Sequence, residues 1–386
     1  MTHSKPSDAA IKNLSWTNPW LQLPDAFYQR IQLTPLDTPY FIHCNTHTAE
    51  LLGLSAEQLQ NEATLHFFNG QQLPPEVQPT ASVYAGHQFG IFTAQLGDGR
   101  VLSLGEVVGH NDRRYEIQLK GAGLTLYSRT LDGRCPLGSA IREYLGSEGF
   151  THGVINTDNM SVLGDMLDFG SFGFMETYHP EFLANASDDL GRYQFDQQPE
   201  IGRWNCLALA EAMSSLLPSR TIPAKLLRLY RQHYHQHYLQ RLRLKLGLST
   251  PHPDDAKLIE VLLTTLQQGN IDYALFFRNL ADFINVQEKN PALYTLTTDS
   301  ANLMQWLSLY QDRLRLETIS SQERQKQMNQ VNPCYVLRSH LLKQSITDAE
   351  HGDLTEFYRL LTLLQNPFEE QTGMDFYAQP YNPEAD

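Results

Sequence analysis

The sequence predicts an α+β protein in which a strand-rich part precedes a long helical part. Two β-patterned runs, residues 90–96 and 101–107, flank a glycine-rich turn, and residues 115–120 alternate apolar and polar side chains. From Trp204 onward, apolar residues recur at spacings of three and four, which is typical of amphipathic helices. The helical segments predicted in this way are residues 205–217, 224–246, 253–268, 271–283, 301–316, 320–330, 335–349 and 354–364.

Composition limits the classes of function. The 386 residues suffice for about two or three domains of ordinary size. A formal net charge of -14 argues against a dominant nucleic-acid or anionic-membrane surface, because either would need a basic excess. No apolar leader opens the sequence and no run reaches membrane-spanning length. We therefore expect a cytoplasmic protein whose partners include no nucleic acid and no membrane.

Cysteine usage points to a reducing compartment. The four cysteines are widely scattered and form no CxxC pair. This spacing favours reduced, mostly structural thiols over a disulfide framework or a zinc site.

The first eighty residues are interpreted as packing structure. Residues 1–20 resemble a loose arm. The proline-punctuated stretch that follows carries two helical segments, at residues 46–54 and 55–60.

A glycine-rich turn, Gly97-Asp98-Gly99-Arg100, joins the first two β-runs. Glycines let backbone N–H groups approach a phosphate, and Arg100 adds a planar bidentate donor. Asp-Gly is also favourable turn chemistry in its own right, so the turn alone leaves a purely structural role open. A dinucleotide-binding turn is disfavoured because a strand, not a helix, follows the glycines.

Two charged residues follow in the next predicted elements. Lys120 ends the strand of residues 115–120 on its polar face. Residues 137–148 are predicted to form a helix with Ser139 as its N-cap and Glu143 about one turn inside. A solvent-exposed lysine and a solvated helix face are the alternative interpretations.

Residues 151–170 are predicted to contain a β-hairpin. Two short apolar runs, residues 160–163 and 166–169, flank Gly164-Asp165, a dipeptide that suits a two-residue turn.

This hairpin would carry metal-handling and proton-handling side chains. Asn159 and Asp168 would face the same side as diagonal neighbours, roughly 5–8 Å apart. An amide oxygen and a carboxylate at that spacing can hold one Mg²⁺, with waters and nucleotide phosphates as its other ligands. Asp158, just before the strand, would be placed to act as a base. An Asx-rich loop that caps a turn is the alternative.

The order of these parts is that of a protein kinase. A glycine hairpin, a strand ending in Lys, a helix bearing Glu, an Asp-Asn pair and Asp168-Phe169-Gly170 follow one another. In the kinase layout these residues contact phosphates, orient the Lys, handle the hydroxyl proton and hold metal. An accidental match at five points is improbable.

Seven stretches carry a closer resemblance: VYAGHQFGIFTAQLGDGR, YEIQLKGAGLTLYSRTLDGR, IREYLGSE, HGVINTDNMSVLG, DFGSFGFMETYHPEF, QPEIGRWN and NPCYVLRSHLL. They closely resemble the selenoprotein O family of protein adenylyltransferases, over about residues 14–367. The resemblance implies a kinase-like two-lobed fold that holds ATP in an inverted orientation. It also implies transfer of AMP to protein Ser, Thr or Tyr hydroxyls, release of pyrophosphate, and a requirement for Mg²⁺, for which Mn²⁺ can substitute.

The resemblance assigns roles at matching positions. Asp158 would be the catalytic base, Asn159 and Asp168 would bind Mg²⁺, and Glu143 would pair with Lys120. The residues implied to bind or line the nucleotide phosphates are Gly97, Gly99, Arg100, Lys120, Asp132 and Gly133.

The sequence departs from the family at two places. In the family a long segment separates the Glu-bearing helix from the HGVxNTDNM motif, whereas here Glu148 is followed directly by Gly149. The residues between Glu143 and Asp158, at up to about 3.5 Å each, could span the gap between two lobes. They are too few to form the remaining strands, hinge and helices of the core as well. In the family the missing segment also carries two arginines that hold the nucleotide. The cysteine or selenocysteine of the family's tail is absent as well.

The predicted organisation follows from these assignments. Three functions stay open: an active adenylyltransferase, an inactive pseudoenzyme or deletion remnant, and a helical interaction module. The sequence gives no indication of oligomeric state. The predicted parts are an N-terminal extension packing on the core (1–80), a kinase-like N-lobe (81–150), a catalytic and metal-binding segment (151–200), a helical C-lobe of an incomplete core (201–370) and a tail (371–386).

Overall fold

The computed structural model describes residues 11–148, 152–164, 167–169, 172–216, 222–288 and 290–380. The chain forms two compact units that divide between Pro136 and Leu137. The first unit contains a β-sheet and the second is mostly helical, so the α+β class is confirmed. No helix in the described part of the chain combines the length and apolar character needed to cross a membrane.

The sheet of the first unit has six antiparallel strands. Strand β5 is central, since it pairs with β1, β3 and β6, while β3 also pairs with β2 and β4. The strands are β1 (Trp16–Thr17), β2 (Tyr28–Arg30), β3 (Thr80–Gln88), β4 (Ile91–Gly97), β5 (Val101–Val108) and β6 (Arg114–Lys120). Three short α-helices precede β3 in the described residues, namely α1 (Thr46–Leu51), α2 (Ala56–Leu59) and α3 (Glu62–Phe68).

Alternation in β6 determines which of its faces is covered. Tyr115, Ile117 and Leu119 pack against the core of the first unit, as the sequence pattern predicts. The same core includes Ile11 and Trp16, which are 0% and 9% exposed. The prediction of a loose arm is therefore wrong for residues 11–20, because strand pairing and apolar burial fix them; residues 1–10 lie outside the described residues.

Helices dominate the second unit, and the eight helices predicted from apolar periodicity are all present. The first of them begins at Gln198 rather than Asn205, since Pro199 occupies its first turn. They are α5 (Gln198–Ala212), α6 (Ile222–Lys245), α7 (Asp255–Gln268), α8 (Tyr273–Leu280), α10 (Ser300–Leu314), α11 (Ser321–Asn329), α12 (Ser339–Glu350) and α13 (Thr355–Gln365), with short helices α9 (Pro291–Tyr294) and α14 (Asp375–Ala378).

An aromatic cluster lies at the centre of this unit. Phe276, Phe277, Trp306 and Tyr310 are all fully buried. The indole of Trp306 stacks on the ring of Tyr310 with centroids 5.1 Å apart, and it donates to the carbonyl of Leu258 at 3.0 Å. Burial of these large rings, with the indole N–H of Trp306 hydrogen-bonded, stabilises the core of the second unit.

The helix α4 (Leu137–Glu148) also belongs to the second unit and has the predicted bounds. Ser139 is not its N-cap, because the helix already begins at Leu137. The helix packs against α12 and α13 of the same unit. Arg142 donates to the carbonyl of Phe172 at 3.1 Å and lies over its ring.

Two short strands follow α4, β7 (His152–Gly153) and β8 (Phe172–Gly173), which pair antiparallel. The predicted hairpin strands at residues 160–163 and 166–169 are wrong as regular strands where the structure describes them, since Met160 forms a single β-bridge, residues 162–163 lie in a turn and residues 167–169 form no strand. Residues 165, 166, 170 and 171 lie outside the described residues. The antiparallel pairing thus lies outside the predicted strands and closes a longer loop.

Candidate functional site

The glycine-rich turn between β4 and β5 is closed by the segment of residues 125–128. Thr125 Oγ1 donates to the carbonyl of Asp98 at 2.6 Å, and Ser128 Oγ donates to the carbonyl of Gly99. A Cβ at Gly97 would lie 2.4 Å from the ring of Tyr127, well inside van der Waals contact. Glycine at position 97 is therefore required by packing within the protein, whatever the turn binds.

The side chain of Asp98 fixes the turn from the other side. Its Oδ2 accepts from the backbone N–H of Ser82 at 2.8 Å and from the hydroxyl of the same residue. The carboxylate thus links the turn to β3 through two hydrogen bonds.

Arg100 and Lys120 lie at adjoining ends of two paired strands. Lys120 is the last residue of β6 and is opposite Val101, the first residue of β5. The backbone N–H of Gly121 donates to the carbonyl of Arg100 at 2.7 Å. Both cationic side chains are half-buried. The fold therefore brings two predicted phosphate-binding residues to the same end of the sheet.

Asp132 and Gly133 lie in a loop that folds back beside the end of β6. Ala122 forms an antiparallel bridge with Arg134, whose backbone N–H is bound by Asp132 Oδ1 at 2.9 Å. Gly133 has a φ of 71°, and a Cβ there would lie 2.2 Å from the carbonyl oxygen of Gly123. The six candidate residues of the first unit, Gly97, Gly99, Arg100, Lys120, Asp132 and Gly133, thus lie in contiguous loops at one end of its sheet.

Glu143 lies in the middle of α4, in the second unit. The residue is half-buried and its Oε1 is removed from solvent. The predicted pairing of Glu143 with Lys120 would join the two units and remains a prediction from the resemblance.

Asp158 and Asn159 form a short 3-10 turn, Thr157–Asn159, in the loop that β7 and β8 close. The amide of Asn159 donates from Nδ2 to the carbonyl of Val154 at 3.1 Å. Both residues are half-buried, and Oδ1 of Asp158 is removed from solvent. The turn therefore holds a shielded carboxylate next to an amide whose orientation is fixed.

Asp168 is half-buried and lies in the same loop between β7 and β8. The pairing of Gly153 with Phe172 brings the two ends of this loop together. The predicted spacing of Asn159 and Asp168 was based on a regular hairpin, which the described residues do not form, and it remains a prediction. Gly170 of the Asp-Phe-Gly motif lies outside the described residues.

Two residues that contact the Asp158 loop were missed by the sequence interpretation. Tyr193 donates its hydroxyl to Asn156 Oδ1, and Asn205 donates from Nδ2 to the carbonyl of Ile155 at 2.9 Å. The signal that could have found Asn205 is its place in the motif QPEIGRWN. A polar residue on the buried face of a predicted helix needs a hydrogen-bond partner. Only the folded structure shows which group that partner is.

A magnesium site is not visible as a cluster of acidic, histidine or cysteine side chains. The described residues contain no group of three or more such residues that could hold a metal ion. A site built from one amide, one carboxylate and nucleotide phosphates would not form such a group. Asn159 fits this type of site, because its Nδ2 donates to the carbonyl of Val154 and its amide oxygen Oδ1 is a hard ligand of the kind Mg²⁺ prefers.

Comparisons with known proteins give a consistent result. A sequence model of the family described as protein adenylyltransferase SelO matches residues 10–148 and 146–365. The chain is 33% identical over 473 residues to a protein nucleotidyltransferase YdiU from Herminiimonas arsenicoxydans, with 95% of each chain covered. Proteins of the same name from Pseudomonas fluorescens SBW25 and Vibrio parahaemolyticus are also 33% identical, over 478 and 477 residues, and 96% of each of these relatives is covered.

The motif-bearing loops and these matches define a protein of the nucleotidyltransferase class. The chain belongs to the SelO family, as the motifs of its sequence predict.

The comparisons also confirm the missing internal segment. The alignment with the Herminiimonas relative runs to 473 residues, whereas this chain has 386, so the relative contains positions that this chain lacks. The family match breaks where its two parts meet, at residues 146–148. This is the place at which Glu148 runs into Gly149.

Proposed function

We propose that this protein is a Mg-ATP-dependent protein adenylyltransferase with a kinase-like fold, which transfers AMP to Ser, Thr or Tyr hydroxyls. The observation that carries the proposal is the family match, because its two parts span every candidate residue from Gly97 to Asp168. Arg100 and Lys120 at adjoining strand ends support it, since two cations at one place suit a polyphosphate.

Asp158 is proposed to accept the proton of the attacking hydroxyl. The hydroxyl oxygen then bonds to the α-phosphorus of ATP in line with the bond to the β-phosphate, and that bond breaks to release pyrophosphate. Burial of Asp158 Oδ1 in a turn that the backbone fixes supports this role, because a base must be held in reach of its proton.

The phosphates are proposed to bind Arg100 and Lys120, with Gly97, Gly99, Asp132 and Gly133 lining the same site. Glu143 is proposed to orient Lys120. Asn159 and Asp168 would hold Mg²⁺ or Mn²⁺, which when bound neutralises phosphate charge in the transition state.

A second candidate function is that of a remnant that binds ATP weakly and transfers nothing. The missing internal segment favours it, because the resemblance places two nucleotide-binding arginines there. Loss of two cations from a phosphate clamp is expected to lower the rate by on the order of a thousandfold or more.

The two candidates are separated by ATP labelled at the α- or the γ-phosphate. The purified chain is incubated with Mg²⁺ and a protein acceptor, beside the variant Asp158→Ala. We expect label to pass to protein from the α position alone and to be lost in the variant. Transfer from the γ position would indicate kinase chemistry instead.

A thermal-shift measurement completes the experiment. An adenylyltransferase should melt at a higher temperature with Mg-ATP than without it, because a ligand that binds only the folded state stabilises it. Absence of both label transfer and this shift would contradict the enzyme proposal and support the remnant.

A further inference from the structure

The loop that carries Asp158 and Asn159 is held from outside by Tyr193 and Asn205. Asn205, on α5, donates from Nδ2 to the carbonyl of Ile155 at 2.9 Å, and the same atom lies 3.3 Å from Met160 Sδ. Residues 155 and 160 are the two ends of the short stretch that contains the 3-10 turn. One amide group therefore contacts the loop both before and after the candidate catalytic residues.

Tyr193 holds the same loop at the next position. Its hydroxyl donates to Asn156 Oδ1, directly before the 3-10 turn. The ring packs with Val154 and Ile201 in a small apolar cluster, so the loop is held by both polar and apolar contacts.

Tyr193 and Asn205 are themselves held in place by burial, by hydrogen bonds and by the helix α5. Tyr193 is 2% exposed, its backbone N–H donates to Asp188 Oδ2 at 2.7 Å, and Gln198 Nε2 donates to its carbonyl at 3.0 Å. Asn205 is 6% exposed and lies within the fifteen-residue helix α5. Side chains fixed in this way can transmit a defined geometry to the loop.

The amide oxygen of Asn205 indicates the role of this side chain. Its Oδ1 is buried and has no hydrogen-bond partner among the described residues. A buried acceptor without a partner lowers stability, so fold stability alone does not favour asparagine at this position. Its donor contacts with the loop are the feature that an apolar side chain of similar size could not supply.

We propose that Tyr193 and Asn205 are positioning residues that fix the orientation of the Asp158 carboxylate and the Asn159 amide. The inference rests on the proposed function for the roles of Asp158 and Asn159. The contacts to Ile155 and Asn156 stand independently of it.

The variants Asn205→Asp and Tyr193→Phe test the proposal with the smallest change in shape. The first replaces the donor by an acceptor, and the second removes only a hydroxyl. Matched controls are Asn18→Asp and Tyr335→Phe. Asn18 is a buried amide that donates to the carbonyl of Gln78 at 2.9 Å in the first unit, and the hydroxyl of Tyr335 accepts from the N–H of Gln371 at 2.8 Å.

Transfer of α-phosphate label is measured against Mg²⁺ concentration for all five proteins. We expect both test variants to lose about 10–100-fold in kcat or in apparent Mg²⁺ affinity, as is usual when the support of a metal ligand is removed. Both controls should keep the wild-type Mg²⁺ dependence. A role confined to stability would lower the melting temperature of test and control variants alike and leave the Mg²⁺ dependence unchanged, which would overturn the proposal.

Hydrogen exchange of residues 152–160 separates failure of this inference from failure of the proposed function. If the wild-type protein transfers no AMP, the proposed function fails, and exchange then decides whether the loop is held. Loss of protection by about tenfold in the two test variants, with wild-type protection in the controls, supports positioning by these side chains. Unchanged protection in Tyr193→Phe and Asn205→Asp overturns it.

Discussion

Gly97 illustrates at the scale of one residue how tertiary contact determines a sequence position. The sequence alone predicts a phosphate-binding turn or ordinary turn chemistry. The structure adds a third reason, the ring of Tyr127, which occupies the space where a Cβ would lie. No local pattern indicates this, because Tyr127 follows two strands later in the chain.

Substitution Gly97→Ala is therefore expected to destabilise the protein by about 1–3 kcal/mol, the usual effect of overpacking. Urea unfolding measures the change. In a Tyr127→Ala background the same substitution should lower stability by less than about 0.5 kcal/mol, because the obstructing ring is gone. Equal losses in the two backgrounds would show that the contact with Tyr127 is not the reason for glycine.

At the scale of elements, periodicity predicted the helices well, whereas two apolar runs around a Gly-Asp turn predicted hairpin strands that the described residues do not form. A helix is recognised from neighbours three and four residues apart, and its bonds are internal. Described apolar residues of the predicted hairpin are left exposed to solvent. Val162 and Leu163 are 82% and 83% exposed, and an isolated two-stranded hairpin is at best marginally stable. The two apolar runs thus predicted regular strands that the described residues do not form.

The last residue of α6, Lys245, places a cation in an aromatic setting. Its Nζ lies 4.8 Å and 5.6 Å from the ring centroids of Phe277 and Tyr273 and donates to Asn332 Oδ1 at 3.1 Å. Burial lowers the pKa of Lys245 to about 8. The charged form is thus disfavoured by folding.

This lowered pKa predicts a pH dependence of stability. Between pH 8 and 10 the unfolded lysine, with its ordinary pKa of 10.5, binds more protons than the folded one, so the free energy of unfolding rises with pH. We expect the wild-type protein to gain about 2 kcal/mol relative to Lys245→Met across this interval. Urea unfolding of both proteins at several pH values measures it. The comparison cancels the titration of tyrosines common to both, and a constant difference would contradict the assignment.

At the scale of the whole molecule, the sequence motifs predicted the family. The direct junction of Glu148 with Gly149 predicted that the chain lacks an internal segment of that family. Each candidate residue lies in a segment that the family match covers. Arg100 lies near Lys120 because β5 pairs with β6. The alternation of apolar and polar residues in residues 115–120 indicates that β6 is a strand. The supports of the Asp158 loop do not follow, since Tyr193 and Asn205 reach it across a long stretch of chain.

If the missing segment limits activity, restoring it should raise the rate. The segment of the Herminiimonas relative is inserted between Glu148 and Gly149, where the family match breaks. We expect α-phosphate transfer to rise by on the order of a thousandfold, because the resemblance places two phosphate-binding arginines in this segment. A glycine-serine linker of the same length is the matched control, and it restores chain length without cations. The gain should disappear when Asp158→Ala is combined with the insertion, since the proposed base, Asp158, would act in both chains. Equal rates for the linker and the natural segment, in proteins that melt cooperatively, would mean that chain length alone limits the rate. The arginines that the resemblance places in the segment would then not be what the chain lacks.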